Sequence, residues 1–402
     1  MSARTAGTVA AAVTPDAPAM GAFVHRSPAM RLVMGDGCIA GLADELALLG
    51  ISRPMLISGV RTRSSTLFLR TLEALCGTHF VLAEPVPAHS AAALVEKLAA
   101  QAKCGGVDGF IAVGGGSASD TAKAVSLLLA EGGRLADHAV RFTPPATLVA
   151  PPLRAKKLPV VAIPGTASGA EVTPSLGIRD DDGAKLLFTD FQLAARLVLI
   201  DPAATLDIPA ALMCATGMNG LAHCIEGIYS RERSPLAETI ALEAMARFAA
   251  ALPAVHGRPR DPAARAELLY AAHLSGLVLV NARTCLHHAV CHAIGSITGV
   301  GHGDANAVML PHSVAFNAEA AALPLARAAT ALGAAADAAA LPGLLRRLQA
   351  DTGVPTRLRD IGVPPEALDR IADKTMRERG LFYNPRRVTD AAEVRSLLEA
   401  AF

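Results

Sequence analysis

The chain has 402 residues, 52% hydrophobic, 18% charged and 3% aromatic, and its 37 basic against 36 acidic residues leave a formal charge of +1. That length exceeds one ordinary domain and predicts two or three. The balanced charge excludes nucleic acid as the main partner, because no net basic field gathers phosphates, and points to a small-molecule substrate.

Residues 1–25 are small, Pro-containing and weakly charged, so they read as a disordered leader without the apolar core of a signal peptide. An α/β unit is expected over 26–206. In it, Pro54–Ser58, Phe80–Ala83, Gly109–Val113 and Leu158–Ile163 read as strands, and Leu67–Leu75, Ala91–Lys103 and Ala122–Ala130 as helices. Such alternation implies a parallel sheet covered on both faces. Over 207–402 strand-like runs vanish and Ala/Leu-rich helices take over, with breaks expected near Pro209, Pro253, Pro259 and Pro311. Ala318–Ala340 reads as alanine-rich helix. Seven cysteines, odd in number and without a Cys-x-x-Cys pair, read as reduced thiols. No uninterrupted apolar run approaches the ~18–20 residues that span a bilayer, so no membrane partner and a cytoplasmic location are expected.

Two loops carry ligand-binding character. Gly114-Gly115-Gly116-Ser117-Ala118-Ser119-Asp120 follows a buried-type strand and opens a helix, where glycines admit a close ligand and helix amides attract phosphate. Pro164-Gly165-Thr166-Ala167-Ser168 follows the next strand and adds hydroxyls. Together they predict a pyrophosphate crevice at the carboxyl ends of neighbouring strands.

The helical half holds a histidine constellation. Asn219 and His223 are four apart, as are His288 and His292, so each pair shares a helix face. His302 and His312 follow, and five of the twelve histidines fall between 287 and 312. Imidazoles at this spacing build metal or proton-transfer sites. His312, beside Pro311, reads instead as a core or turn residue, and His287 as partly exposed or structural.

These segments (GGGSASDTAKA, PGTASGAE, GMNGLAHCIEG, HHAVCHAIG and GHGDANAVMLPH) resemble the iron-containing alcohol dehydrogenase family in the same order, over about residues 30–400. The resemblance implies a dehydroquinate synthase-like fold, an NAD(P)H cofactor, a homodimer, and Fe2+ or Zn2+ held by the positions matching Asn219, His223, His288 and His302. It places His292 beside the nicotinamide as a proton-relay group, with His288 and His223 as further catalytic groups. Gly59, Gly114, Gly115, Gly116, Ser117, Asp120, Thr166, Ser168 and Lys185 form the implied cofactor set. At 219 the family has an Asp, and the amide removes its charge and its strongest hard donor. The Gly217-Met218-Asn219, Leu286-His287-His288 and Tyr383-Asn384-Pro385-Arg386 stretches are similar to the maleylacetate reductase branch, although Ala289 stands where that branch has lysine. Arg283 and Arg386 are the implied carboxylate contacts. Gly59, in place of an Asp, and nearby Arg61 imply that NADPH is accepted at least as well as NADH. The alternatives are a metal-dependent alcohol dehydrogenase or aldehyde reductase using Asn219 as a ligand, and an inactive cofactor-binding member.

Overall fold

The computed structural model describes residues 23–87, 90–144, 147–180 and 183–402. Most of the expected leader, residues 1–22, lies outside them, and residues 23–30 carry no regular structure. The first half alternates β1 (Arg31–Met34), α1 (Leu42–Leu48), β2 (Pro54–Ser58), α2 (Thr66–Ala74), β3 (Val81–Leu82), α3 (Ala92–Cys104), β4 (Gly109–Gly114) and α4 (Gly116–Glu131). Next, β5 (Arg141–Thr143) pairs antiparallel with β6 (Thr147–Val149), and β7 (Val160–Pro164) returns to the main sheet. β8 (Ser175–Arg179) and β9 (Lys185–Thr189) form a second antiparallel hairpin before β10 (Leu197–Ile200).

Six strands make one parallel sheet in the order β1-β10-β7-β4-β2-β3. Their runs PMLIS, GFIAV, VVAIP and LVLI are buried throughout, as a sheet covered on both faces requires. The order reverses at β2. β3 lies on one side of it and all later strands of the sheet on the other, which opens a crevice at the strands' carboxyl ends. Pairing of Ser58 with Val113 sets Gly59 and Gly114 side by side at that crevice.

From Ala210 the described chain is helical: α5 (Ala210–Tyr229), α6 (Pro235–Gly257), α7 (Pro262–Asn281), α8 (Leu286–Thr298), α9 (His302–Asn317), α10 (Ala322–Ala331), α11 (Leu341–Thr352), α12 (Leu368–Thr375), α13 (Gly380–Tyr383) and α14 (Ala391–Ala400). α7 is long and apolar enough to cross a membrane by length and composition, but it packs against α5 and α6 with over half of its apolar window buried. One apolar core joins α5–α7 to the sheet through Ala162, Val198 and Ile200, and a second joins α8 and α9 to α12 and α14. The line where α5, α8 and α9 meet lies between them.

Two expected breaks do not occur: Pro253 lies inside α6 and Pro311 inside α9. A proline removes the hydrogen bond to the carbonyl four residues back. In α9 that carbonyl belongs to Ala307, and Gln349 of α11 supplies the missing donor at 2.6 Å. Gln349→Leu should therefore cost about 1–3 kcal/mol by leaving a buried carbonyl unpaired; unchanged thermal unfolding would refute this account. The expected helix over Ala318–Ala340 is confined to α10, because Gly333 at φ +84° ends it in a left-handed turn.

Candidate active site

The crevice is built by close approach of two loops. Gly114 sits at φ +119°, and a Cβ there would come within 2.6 Å of the Thr62 hydroxyl. A Cβ on Gly115 would press on Thr166 at 3.3 Å, and one on Gly116 on Ala170 at 3.4 Å. The Gly165 amide donates to the Gly114 carbonyl at 2.9 Å, which locks the loops together. No side chain caps the start of α4, so its positive end faces the crevice beside the half-buried Ser117, Thr166 and Ser168. A side-chain-free cradle with a helix terminus and hydroxyls fits a pyrophosphate.

Lys123 was not legible as part of this site. It is fully buried, and its ammonium donates to the carbonyls of Ala170 (2.6 Å) and Thr173 (2.8 Å), tying the second loop to α4. Burial lowers its pKa, and burial also pushes nearby Glu171 up to about 7. Lys123→Met should loosen the loop and weaken dinucleotide binding about tenfold, since two charge-assisted bonds are lost. Fluorescence titration with NADPH measures this, and an unchanged Kd would remove Lys123 from the argument.

Across the cleft, Asn219 and His223 come from α5, His288 and His292 from α8, and His302 from the first turn of α9. The rings form one cluster. His223 stacks on His288 at 4.8 Å between centroids, His288 lies 5.8 Å from His302 and 6.1 Å from His292, and His292 stacks on His302 at 5.5 Å. Asn219, His223 and His288 are buried, whereas His292 and His302 are only half-buried, so the cluster grades from dry to open. Burial holds all four imidazoles below their ordinary pKa, assisted by their mutual charges and by Lys185.

Two carboxylates that sequence spacing did not flag hold the cluster. Glu226, one turn beyond His223 on α5, is fully buried. One of its oxygens lies 2.6 Å from His288 Nδ1, and the other accepts the His287 amide at 2.9 Å. Burial pushes Glu226 above the usual carboxylate range. Nε2 of His288 lies 3.1 Å from Asn219 Oδ1, so a proton on Nε2 donates to that oxygen and leaves Nδ1 to accept from a protonated Glu226. Glu378, in the turn after α12, stands 3.7 Å from His292 Nδ1 and raises that histidine against its burial. His287 is not partly exposed: it is fully buried and bonded to Asn306 at 2.8 Å, which makes it structural. His312 is half-buried on α9, with its pKa lowered to about 4 by burial and by Arg346.

Lys185 joins crevice and cluster. A Cβ on Gly177 would collide with the stem of the exposed Lys185, so the absent side chain opens the groove along which this lysine lies. Its charge acts on Asp120, whose carboxylate accepts the Gly177 amide at 3.1 Å, and on His288, His292 and His302. The two arginines separate. Arg283 is exposed beside Arg379, whose guanidinium stacks on Tyr383. Arg386 is engaged elsewhere, paired to Glu393 at 2.8 Å and stacked on Phe316 at 3.8 Å, so its role is structural.

A dinucleotide crevice whose open end meets titratable imidazoles, bridged by one lysine, defines an oxidoreductase that exchanges hydride with a small molecule. The chain belongs to the iron-containing alcohol dehydrogenase family. Residues 29–202 match the model "Iron-containing alcohol dehydrogenase", and residues 213–402 the model "Fe-containing alcohol dehydrogenase family, C-terminal". It is 30% identical to maleylacetate reductase of Pseudomonas knackmussii over 380 residues, covering 94% of this chain and 97% of the relative. It is also 30% identical to 4-hydroxybutyrate dehydrogenase of Cupriavidus necator over 373 residues, covering 90% and 96%. The crystal structure of maleylacetate reductase from Agrobacterium tumefaciens superposes with a TM-score of 0.80 at 28% identity, covering 95% of this chain and 99% of that one.

Membership implies a nicotinamide cofactor and, in the family at large, a metal. The cradle at Gly114–Ser117 fits the first. The four expected metal positions do not fit the second: among the described residues no three His, Cys, Asp or Glu side chains converge to hold an ion. Asn219 brings no charge, and Nε2 of His288 faces the Asn219 side chain at 3.1 Å while Nδ1 faces Glu226 at 2.6 Å.

Proposed function

We propose that this chain is an NAD(P)H-dependent reductase of maleylacetate or a close oxo-acid, working without a catalytic divalent ion. The observation that carries the reading is His288 clamped between Glu226 and Asn219, which turns a would-be metal ligand into a hydrogen-bonded neutral imidazole. A nicotinamide in the crevice supplies the hydride. The chain itself must orient the substrate and quench charge developing on its oxygen. Neutral imidazole N–H groups of His292 and His302 lie at the open side for that task. Glu378 and Lys185 flank His292 and give it a route for proton exchange with solvent.

The end of β2 supports use of NADPH. Gly59 leaves no carboxylate to repel a 2′-phosphate, and Arg61 is exposed two residues on, whereas Arg63 is spent on Ser58 and the Ala83 carbonyl. The test is NADPH- and NADH-driven reduction of maleylacetate by the purified protein, with and without chelator, beside its metal content. Chelator-insensitive turnover without stoichiometric metal is expected. Stoichiometric iron or zinc, with chelator-sensitive activity on simple alcohols, would replace this reading with a metal-dependent alcohol dehydrogenase.

A further inference from the structure

Beside the histidine cluster, the β8–β9 hairpin, the last turns of α8, and α12 border an open depression of about 490 Å³. Arg179, Arg370, Lys374 and Arg377 line it together with Ser296, against one lining acid among the described residues, Asp373. We propose that this depression is a carboxylate subsite, which takes the remote acid group of the substrate while its reacting carbon lies at His292 and His302. The inference rests on the proposed reductase reading and extends it to the substrate class, a carbonyl compound bearing a carboxylate a few bonds from the reacting carbon.

Position is the first argument. His288, His292 and Ser296 are spaced by four residues, so they share one face of α8 on successive turns, roughly 6 Å apart along the axis. The wall at Ser296 is therefore the next step along the face that carries the reaction.

Charge is the second. A row of lysines and arginines on one helix is ordinarily solvated. Here the cations come from β8, α12 and the turn after α12, and they face one concavity. Arg370, Lys374 and Arg377 form no ion pair among the described residues, whose arginine pairs nearby go to Asp369 and Glu393 instead. Like charges gathered in a concave wall raise the local concentration of anions.

Rigidity is the third. Arg179 is pinned by a hydrogen bond to the Gly295 carbonyl at 3.2 Å. A guanidinium held in place as Arg179 is loses little freedom on binding a carboxylate, and it matches the two oxygens.

The test uses the full chain carrying Lys374→Ala, Arg377→Ala or both. With NADPH, the kcat/KM preference for maleylacetate over butyraldehyde, which has no acid group, should fall about tenfold or more in the double variant through KM. The KM for NADPH should not move. Calorimetry with succinate on the NADP-loaded protein gives a readout independent of turnover, and its binding should be lost in the double variant. Unaltered succinate binding and preference would overturn the proposal, as would inorganic phosphate binding as tightly as succinate, which would mark a general anion site. If the native chain reduces neither compound, the reductase reading falls, and loss of succinate binding alone would still sustain the subsite.

Discussion

Glu226→Ala should destabilise the protein by about 3–5 kcal/mol and abolish most turnover, whereas Glu226→Gln should leave both near the native level. Alanine leaves His288 Nδ1 and the His287 amide buried without partners, each costing about 1–3 kcal/mol, and opens a cavity besides. Glutamine behaves differently because of the protonation state. Burial pushes Glu226 above the usual carboxylate range, and the glutamine variant is the isostere of the neutral acid, which donates to Nδ1 and accepts from the His287 amide. An amide of the same shape does both. Calorimetric melting and kcat for the two variants measure the contrast. Should glutamine prove as damaging as alanine, Glu226 is ionised, His288 carries its proton on Nδ1, and Nε2 regains a lone pair for a metal.

The sequence revealed those parts of this site that depend on spacing within one element. The i, i+4 pairs 219/223 and 288/292 stand on shared faces as their period requires, and the glycine run lies between a buried strand and a helix. Partners brought from other elements were not legible. Glu226 meets His288 across 62 residues, and Glu378 approaches His292 from 86 residues away by sequence number. Neither carries a local pattern that marks it. β1 and β10 were also missed, because RLVM and LVLI are four-residue runs too short to outweigh their surroundings. Their pairing with each other across the sheet edge is what makes them strands. Pro311 misled for a related reason: its helix is kept whole by Gln349, 38 residues on. Of the two readings of His287 the structural one holds, because Asn306, on the next helix, supplies the partner that makes burial tolerable.

Asn219→Asp should convert the cluster into a metal site, raising affinity for Zn2+ or Co2+ at least about a hundredfold over the native chain. The native donor set is one amide and three imidazoles, none of them charged, and a divalent ion taken from water finds no counter-charge there. A carboxylate at 219 supplies a hard anionic donor 3.1 Å from His288 Nε2, where Asn219 Oδ1 now lies. It would draw the His288 proton toward Nδ1 and Glu226, freeing Nε2 as a ligand. Without metal the same change places a charge in a buried position beside the buried Glu226, so the apo variant should melt below the native protein. Adding Zn2+ should restore its stability in proportion to ligand concentration, as any ligand selective for the folded state must. Native protein should show no such rescue. Cobalt absorption reports geometry separately from activity, and a tetrahedral band in the variant alone is the expected result. An apo variant as stable as the native chain, blind to zinc and colourless with cobalt, would mean that His223, His288 and His302 cannot converge on an ion even when the charge is restored.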